Sequence, residues 1–350
     1  MDVEFHYHVT YLVAARAGLA PDQARLLARA CQAVDDNDTV FEVDAGLPTA
    51  YRSYISQTMD ILKPARRLMR IYPVFHFVPG APAAPSAARR DGAMHWLNTT
   101  PGNRNAEELL AEALAASPLD VFRTAVAVHA YTDSWAHQNF VGSHHVFNGM
   151  KGALGKAAPD VGHADAGHRP DRVGLVWRDP RLAPGLEDVD NTARFLDAAA
   201  RLFVLLKRRV DPGCTPAALA AEKRGLRADL RRAFGPPDPE GRFRHERLAA
   251  YRSLAALPRY GGAPLEDYRQ GAWFEEAVEV AARGVHDQGT GLVAELDPLA
   301  GRCLWRDRTG FRSSRWYRFQ EAVKAHQAAA LELLGRRNLR HVDSGAFESF

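Results

Sequence analysis

The sequence predicts an all-α fold, in which a single domain is built from many helices. The chain is rich in Ala, Leu, Arg and Glu and has few runs of β-branched residues, a composition that favours helix. Proline and glycine clusters, such as Gly235-Pro-Pro-Asp-Pro, interrupt the helical segments. We expect residues 1–175 to form a helical core and residues 176–350 to add C-terminal helices that pack on the same domain.

Helices are predicted wherever a helical pattern runs between such breaks. Gly18 ends the first helix, Pro21 begins the second, and Pro73 stops the third. A Pro- and Gly-rich loop from Pro79 to Ser86 precedes the fourth. The full set covers residues 5–17, 21–34, 50–70, 104–116, 119–141, 189–209, 216–233, 243–256, 270–284 and 315–337. Residues 142–185 form a long irregular segment, which we interpret as a site-forming loop because such loops are uncommon unless functional.

Composition excludes several classes of protein. No run approaches the roughly 18–20 apolar residues of a membrane span, and the N-terminus lacks the pattern of a secretory signal, so we expect a cytoplasmic protein. Three widely separated cysteines argue against a disulfide framework. The net charge of +3 comes with no nucleic-acid-binding motif, so we expect no such partner. The oligomeric state is not indicated.

The most informative motif is His129-Ala-Tyr-Thr-Asp133-Ser-Trp-Ala-His137. Its three ligand-type side chains recur every fourth residue, which places them on one face of a helix that is apolar nearly all round. Buried carboxylates and imidazoles must be paired, neutralised or bound to a cation. The motif therefore predicts a metal site, and the alternative is a core hydrogen-bond network without metal.

Further candidates lie at helix ends and loops of the same half, where ten of the 14 histidines occur in residues 1–168. We therefore expect residues 1–175 to hold the metal. His6 begins the first helix, and we prefer it to His8, which points about 200° away on a helix. Asp35 or Asp36 ends the second helix, where acids are disfavoured by the helix dipole. The remaining candidates are His76, after a proline, and His163, in the irregular segment.

These motifs resemble the zinc-dependent phospholipase C and P1 nuclease superfamily, in a divergent bacterial branch. His129-Ala-Tyr-Thr-Asp133 is similar to the superfamily's central motif, and His76-Phe77-Val-Pro79 to its His-Phe turn. Its members are all-helical and hold up to three zinc ions through His and Asp ligands from several helices. An early helical His and an Asp closing the next helix look like His6 and Asp35 or Asp36.

The resemblance implies a zinc-dependent phosphoesterase that holds two zinc ions, or three, with Fe or Mn as alternative metals. Asp133 and His129 would be the catalytic pair, with Asp133 bridging two metals. His76, His129 and Asp35 or Asp36 would complete one coordination shell, and His6, His137 and His163 the other. A metal-bound hydroxide would attack the phosphorus of a phosphodiester or phosphomonoester, in a small-molecule or phospholipid substrate.

Three departures from the superfamily pattern stand out. His137 follows Asp133 by four residues instead of six and without a proline. The secreted members use the amino group of an N-terminal Trp as a ligand, and we expect that ligand to be missing here. The closing His-x-x-x-Glu is also missing, and His163 with Asp165 or Asp171 is the substitute we expect. These departures favour two metals over three.

Two other functions stay open on the same residues. One is an iron-dependent oxygenase or another non-hydrolytic metalloenzyme that uses the His and Asp side chains. The other is a non-catalytic helical protein with a structural metal. His286-Asp287 looks like the dyad of the HD phosphohydrolases, but the residues after it do not supply that family's further ligands.

Overall fold

The computed structural model describes residues 1–44, 46, 49–58, 68–150, 161–281 and 302–341. Its helices lie close to the predicted positions over most of these ranges. They are α1 Thr10–Ala17, α2 Pro21–Asp36, α3 Arg104–Leu114, α4 Val121–Ala136, α5 Asn191–Val210, α6 Pro216–Phe234, α7 Arg244–Ala255, α8 Ala272–Ala277 and α9 Arg315–Arg336. A π-helical segment, Glu4–Val9, leads directly into α1, and a second π-helical turn spans Tyr72–His76.

The prediction of an all-α fold is wrong, because the structure is mixed α/β, about 55% helical and 9% strand. A four-stranded sheet has the order β2-β1-β6-β5, with β1 and β6 parallel and the other pairs antiparallel. Strands β3 and β4 form a separate antiparallel pair. The strands are β1 Glu42–Asp44, β2 Tyr51–Arg52, β3 Val176–Arg178, β4 Asp188–Asp190, β5 Val278–Ala281 and β6 Arg302–Trp305. Segments of two to four residues are too short to show the alternation that identifies a strand.

Four predicted segments differ in detail. The helix expected over 50–70 is replaced at its start by β2, and the one expected over 270–284 is the short α8 followed by β5. The helix expected over 119–141 ends at Ala136, because Asn139 turns the chain with a left-handed backbone at φ +68°. The irregular segment 142–185 contains β3, which pairs with β4.

Helix α4 lies at the centre of the helical part, where it packs against α2, α3, α5 and α9. All of its residues except Arg123 are buried. One hydrophobic core includes side chains from Phe5 to Ala330, so residues from both halves of the chain pack into it. None of the helices in the described ranges has the length and apolar character needed to cross a membrane.

Candidate metal centre

Helix α4 positions the two side chains on which the centre is built. Asp120 begins the helix and accepts hydrogen bonds from two of its first backbone amides, at 3.0 and 3.1 Å. At the other end, the guanidinium of Arg194 donates to the last two carbonyl oxygens of the helix. His129 and Asp133, one turn apart and fully buried, are therefore held on a helix whose two ends are both fixed.

The two oxygen atoms of the Asp133 carboxylate face different sets of nitrogen atoms. Oδ1 lies 3.0 Å from Nε2 of His6 and accepts a hydrogen bond from the α-amine of Met1. Oδ2 lies 3.1 Å from Nδ1 of His76 and 3.2 Å from Nε2 of His129. This is the arrangement that a carboxylate needs in order to bridge two metal ions.

A first donor group surrounds Oδ2 and consists of Asp35, His76 and His129, whose ligand atoms all lie within 4.8 Å of one another. Oδ1 of Asp35 is 3.8 Å from Nδ1 of His76 and 3.6 Å from Nε2 of His129. The three side chains come from α2, the second π-helical turn and α4. Three distant segments of the chain therefore converge on one point.

Hydrogen bonds on the outer side of these rings fix their tautomers. The Nε2–H of His76 donates to the carbonyl oxygen of Ser56, and the Nδ1–H of His129 donates to that of Cys31, both at 2.9 Å. Because a carbonyl oxygen can only accept, each neutral ring carries its proton on the outer nitrogen. The two inner nitrogen atoms, 3.1 Å apart, thus face each other and the carboxyl groups of Asp35 and Asp133.

A second donor group consists of His137, His163 and Asp171. Nε2 of His137 lies 3.1 Å from one Asp171 oxygen, and Nε2 of His163 lies 3.3 Å from the other. The outer nitrogen atoms again donate to backbone carbonyls, His137 to His76 at 2.8 Å and His163 to Gly167 at 2.9 Å. This group therefore repeats the pattern of the first, with two lone pairs directed at a carboxylate.

The α-amine of Met1 and the side chain of His6 lie between the two groups. The amine, hydrogen-bonded to Asp133, is also 3.3 Å from Oδ1 of Asp171. On the far side of the His6 ring, Nδ1 lies 3.5 Å from the thiol sulfur of Cys31. A cation could be held beside Oδ1 of Asp133 by the nitrogen atoms of His6 and Met1 only after the Met1 ammonium has released a proton.

Burial keeps imidazoles of the centre neutral. It lowers the pKa of His6 to about 4, and it lowers the pKa of His129 well below the usual value, with the neighbouring His6 adding to the effect. The pKa of His163 is also lowered by burial. Near neutral pH these three rings are therefore unprotonated, the form in which histidine binds a metal.

The pKa values of the carboxyl groups and of the Met1 amine depend on two opposing effects, burial and the charges of neighbouring groups. Burial alone would raise the pKa of Asp133 and of Asp171, but the imidazoles and the Met1 ammonium beside them hold both well below the usual value. The pKa of Asp35 is raised well above its usual value by burial and by the charge of Asp133. For the Met1 amine, burial opposes the charged form, but the surrounding carboxylates raise the pKa to about 11.

The two donor groups border a cavity of about 990 Å³ that is open to solvent. Met1, Asp35, His76, His137, His163 and Asp171 all line it. Phe77 also lines it and stacks on His137 with ring centroids 4.3 Å apart. The candidate centre is thus accessible on one side and embedded in the hydrophobic core on the other.

Not every predicted residue joins the centre. The sequence left Asp35 and Asp36 as alternative ligands. The carboxylate of Asp36 accepts a hydrogen bond from the hydroxyl of Tyr268, so Asp35 is the one that joins the centre. His8 stacks on Tyr251 instead of facing Asp133. Asp165 accepts from the backbone amide of Met150 at 2.7 Å, which leaves Asp171 as the partner of His163. His286 and Asp287 lie outside the described residues.

The grouping of the ligands also differs from the one that the resemblance implied. The resemblance placed His6, His137 and His163 in one coordination shell. In the structure His137 and His163 face Asp171, whereas His6 contacts Oδ1 of Asp133. The Met1 amine and the thiol of Cys31 were not among the predicted ligands, and an N-terminal amine ligand was expected to be missing. A usable signal existed for α2, because Leu27, Cys31 and Asp35 follow one another at helical spacing on a single face.

Fold and site together define a mainly helical α/β protein. Its cluster of histidines and aspartates is embedded in the core on one side and borders an open cavity on the other. The chain belongs to the family of unknown function DUF6765, whose sequence profile matches residues 1–334. Neither the curated proteins nor the solved structures include a match to it.

Proposed function

We propose that this protein is a metal-dependent phosphoesterase that hydrolyses a phosphomonoester or a phosphodiester. The observation that carries the proposal is the direction of the imidazole lone pairs. His76, His129, His137 and His163 each donate an outer N–H to a backbone carbonyl and point an inner nitrogen toward a carboxylate. Metal-binding histidines have this orientation, because they donate the outer ring N–H to a carbonyl or carboxylate and direct the other nitrogen at the ion.

Imidazole nitrogen and carboxylate oxygen are ligands that suit zinc, with iron and manganese as alternatives. One ion fits between Asp35, His76, His129 and Oδ2 of Asp133. A second fits the group of His137, His163 and Asp171. His6 and the Met1 amine, once it has released a proton, offer a third position at Oδ1 of Asp133, so we expect two zinc ions, or three.

Accessibility favours a catalytic centre over a structural one. Structural metal sites are closed by protein ligands, whereas here side chains of both donor groups border the same open cavity. Bound divalent ions supply Lewis acidity and lower the pKa of coordinated water at such a site. The protein's part is to hold Asp133 and His129 rigidly on α4, as the catalytic pair, and to admit the substrate from the cavity side.

Phosphate esters are the substrate class that this arrangement suits best. Cations bound by these neighbouring donor groups would clamp the oxygen atoms around phosphorus. The residues that carry the resemblance to the phospholipase C and P1 nuclease superfamily lie in one centre, which supports the same class. Both small-molecule and phospholipid phosphoesters stay candidates, and the cytoplasmic location stays a prediction.

The first test is elemental analysis of the full chain purified without added metal or chelator, followed by hydrolysis assays with p-nitrophenyl phosphate and bis(p-nitrophenyl) phosphate. We expect two or three zinc per chain and hydrolysis that is lost with a chelator and restored by zinc. Iron in place of zinc would support an oxygenase. Zinc without hydrolysis of either ester would contradict the phosphoesterase, and absence of metal after reconstitution would contradict the metal centre itself.

A further inference from the structure

Three arginines line the cavity beside the candidate metal centre, and they differ in what their guanidinium groups contact. Arg247 is fully engaged, because it pairs with Glu4 and Asp238 at 2.7 Å each. Arg244 lies 3.7 Å from a Glu4 oxygen. Within the described ranges, the guanidinium of Arg172 has no acidic group at ion-pair distance and donates no hydrogen bond.

Arg172 lies at the cavity wall beside Gly241. It directly follows Asp171, a member of the second donor group, and its guanidinium lies against Gly241. A Cβ atom at position 241 would be only 2.3 Å from Nη2 of Arg172, and the backbone there has φ +73°. Both facts favour glycine at position 241, because any larger residue would push the Arg172 guanidinium away.

The turn that carries Gly241 is itself fixed. The backbone amide of Asp238 donates to the carbonyl oxygen of Gly174 at 2.7 Å, and its side chain accepts from two backbone amides further along the turn. In contrast to Arg172, the neighbouring Arg169 uses its guanidinium structurally, since Nε donates to the carbonyl oxygen of Ala166 at 2.8 Å. Arg172 therefore lines the cavity beside a fixed turn and has unused donors.

We propose that Arg172 binds phosphate oxygen atoms of the substrate and favours phosphomonoesters over phosphodiesters. This inference rests on the proposed function and names its substrate class. A guanidinium presents its N–H groups as a planar fork that matches two phosphate oxygens. A monoester carries a charge of about −1.5 to −2 near neutral pH, whereas a diester carries one negative charge, so a cation beside the metals stabilises the monoester more.

The test uses the zinc-loaded full chain and two variants of the same residue, Arg172→Gln and Arg172→Lys. Arg178→Gln serves as the matched control, because Arg178 is an exposed strand residue paired with Glu187 outside the cavity. Calorimetry with inorganic phosphate gives Kd, and kcat/KM is measured for p-nitrophenyl phosphate and for bis(p-nitrophenyl) phosphate. Zinc content is measured for every variant.

We expect Arg172→Gln to weaken phosphate binding by about 10- to 100-fold, the range for charge-assisted hydrogen bonds, with unchanged zinc content. Arg172→Lys keeps the charge and loses the fork, so its Kd should lie between those of the wild type and Arg172→Gln. The monoester should lose more kcat/KM than the diester. Gly241→Ala, whose methyl group displaces the guanidinium, should weaken phosphate binding while Arg178→Gln leaves it unchanged.

Contrary results separate the two proposals. If Arg172→Gln binds phosphate as the wild type does, or if the wild type binds none, the anion site is refuted, whatever the hydrolysis assays give. If monoester and diester activities fall equally, the selectivity for monoesters is refuted. If the wild type hydrolyses neither ester but binds phosphate through Arg172, the phosphoesterase fails while the anion site stands.

Discussion

Two buried charged clusters lie side by side in this protein, and they satisfy their charges in opposite ways. In the first, which we call the Arg247 cluster, the Arg247 guanidinium binds both oxygens of Glu4 at 2.7 and 2.9 Å and Asp238 at 2.7 Å, while the Tyr251 hydroxyl donates to Glu4 at 3.2 Å. Each acceptor there faces a donor. The second, around Asp133, combines three carboxylates with imidazoles whose donors are directed outward.

The difference indicates which of two buried polar clusters is built for a ligand. A structural cluster is complete without outside atoms, because a buried charge that lacks a partner costs several kcal/mol. The Asp133 cluster has the Met1 ammonium as its main cation, against the two carboxylates of Asp133 and Asp171, whose pKa values are held low. Its deficit of positive charge is the physical basis for the proposed metal ions.

The largest expected effect follows from Asp133→Asn, which removes the charge that both neighbouring metal positions share. We expect loss of bound zinc and a fall in phosphoesterase activity of at least about 100-fold, with helicity little changed because α4 is held at both ends. The measurements are elemental analysis, p-nitrophenyl phosphate hydrolysis and far-UV circular dichroism.

Thermal unfolding provides the control for Asp133→Asn. A metal that binds only the folded chain raises Tm, so a chelator should lower the Tm of the wild type and leave that of the variant unchanged. Full zinc content together with retained activity in Asp133→Asn would show that Asp133 is not a bridging ligand.

The second prediction concerns a substitution in the Arg247 cluster. Arg247→Met leaves the buried carboxylates of Glu4 and Asp238 without their cation, so we expect the free energy of unfolding to fall by about 3–5 kcal/mol. The loss should be the same with and without chelator, in contrast to the behaviour of Asp133→Asn. Denaturant titration measures it.

Arg252→Gln is the matched control, because Arg252 lies on the same helix in an exposed pair with Asp267. An exposed ion pair contributes at most about 1 kcal/mol. If Arg247→Met were no more destabilising than Arg252→Gln, the Arg247 cluster would not be the complete structural unit that its hydrogen bonds indicate.

The same comparison explains how much of the site could be predicted from the sequence. His129 and Asp133 were predictable because helical periodicity fixes the relative positions of residues four apart. His76 was found through its proline-containing turn. The pairing of His163 with Asp171 was one of two alternatives that the sequence offered. The pairing of His137 with Asp171 was not predicted, since it depends on how an irregular segment folds back over the end of α4, and no periodicity governs such a segment.

For the fold, the long helices were predictable and the sheets were not. Helices such as α5 and α9 run over about 20 residues, long enough for the pattern and the Pro and Gly boundaries to be read. Strand β1 pairs with β6, more than 250 residues away, and neither exceeds four residues. Long-range pairing of such short segments depends on the packing of the helices, which no local pattern contains.

The smallest effects are expected from a pair of adjacent substitutions, Asp35→Asn and Asp36→Asn. The Asp35 carboxylate faces His76 and His129, so its loss should weaken zinc binding at least about tenfold. The Asp36 carboxylate accepts from Tyr268, so its replacement should leave zinc affinity unchanged and lower the free energy of unfolding by about 1 kcal/mol. Competition with a chromophoric chelator measures the affinities. Because both variants remove one negative charge at neighbouring positions of α2, a general electrostatic effect would weaken zinc binding equally in both, whereas coordination by Asp35 alone predicts that only the first one loses zinc.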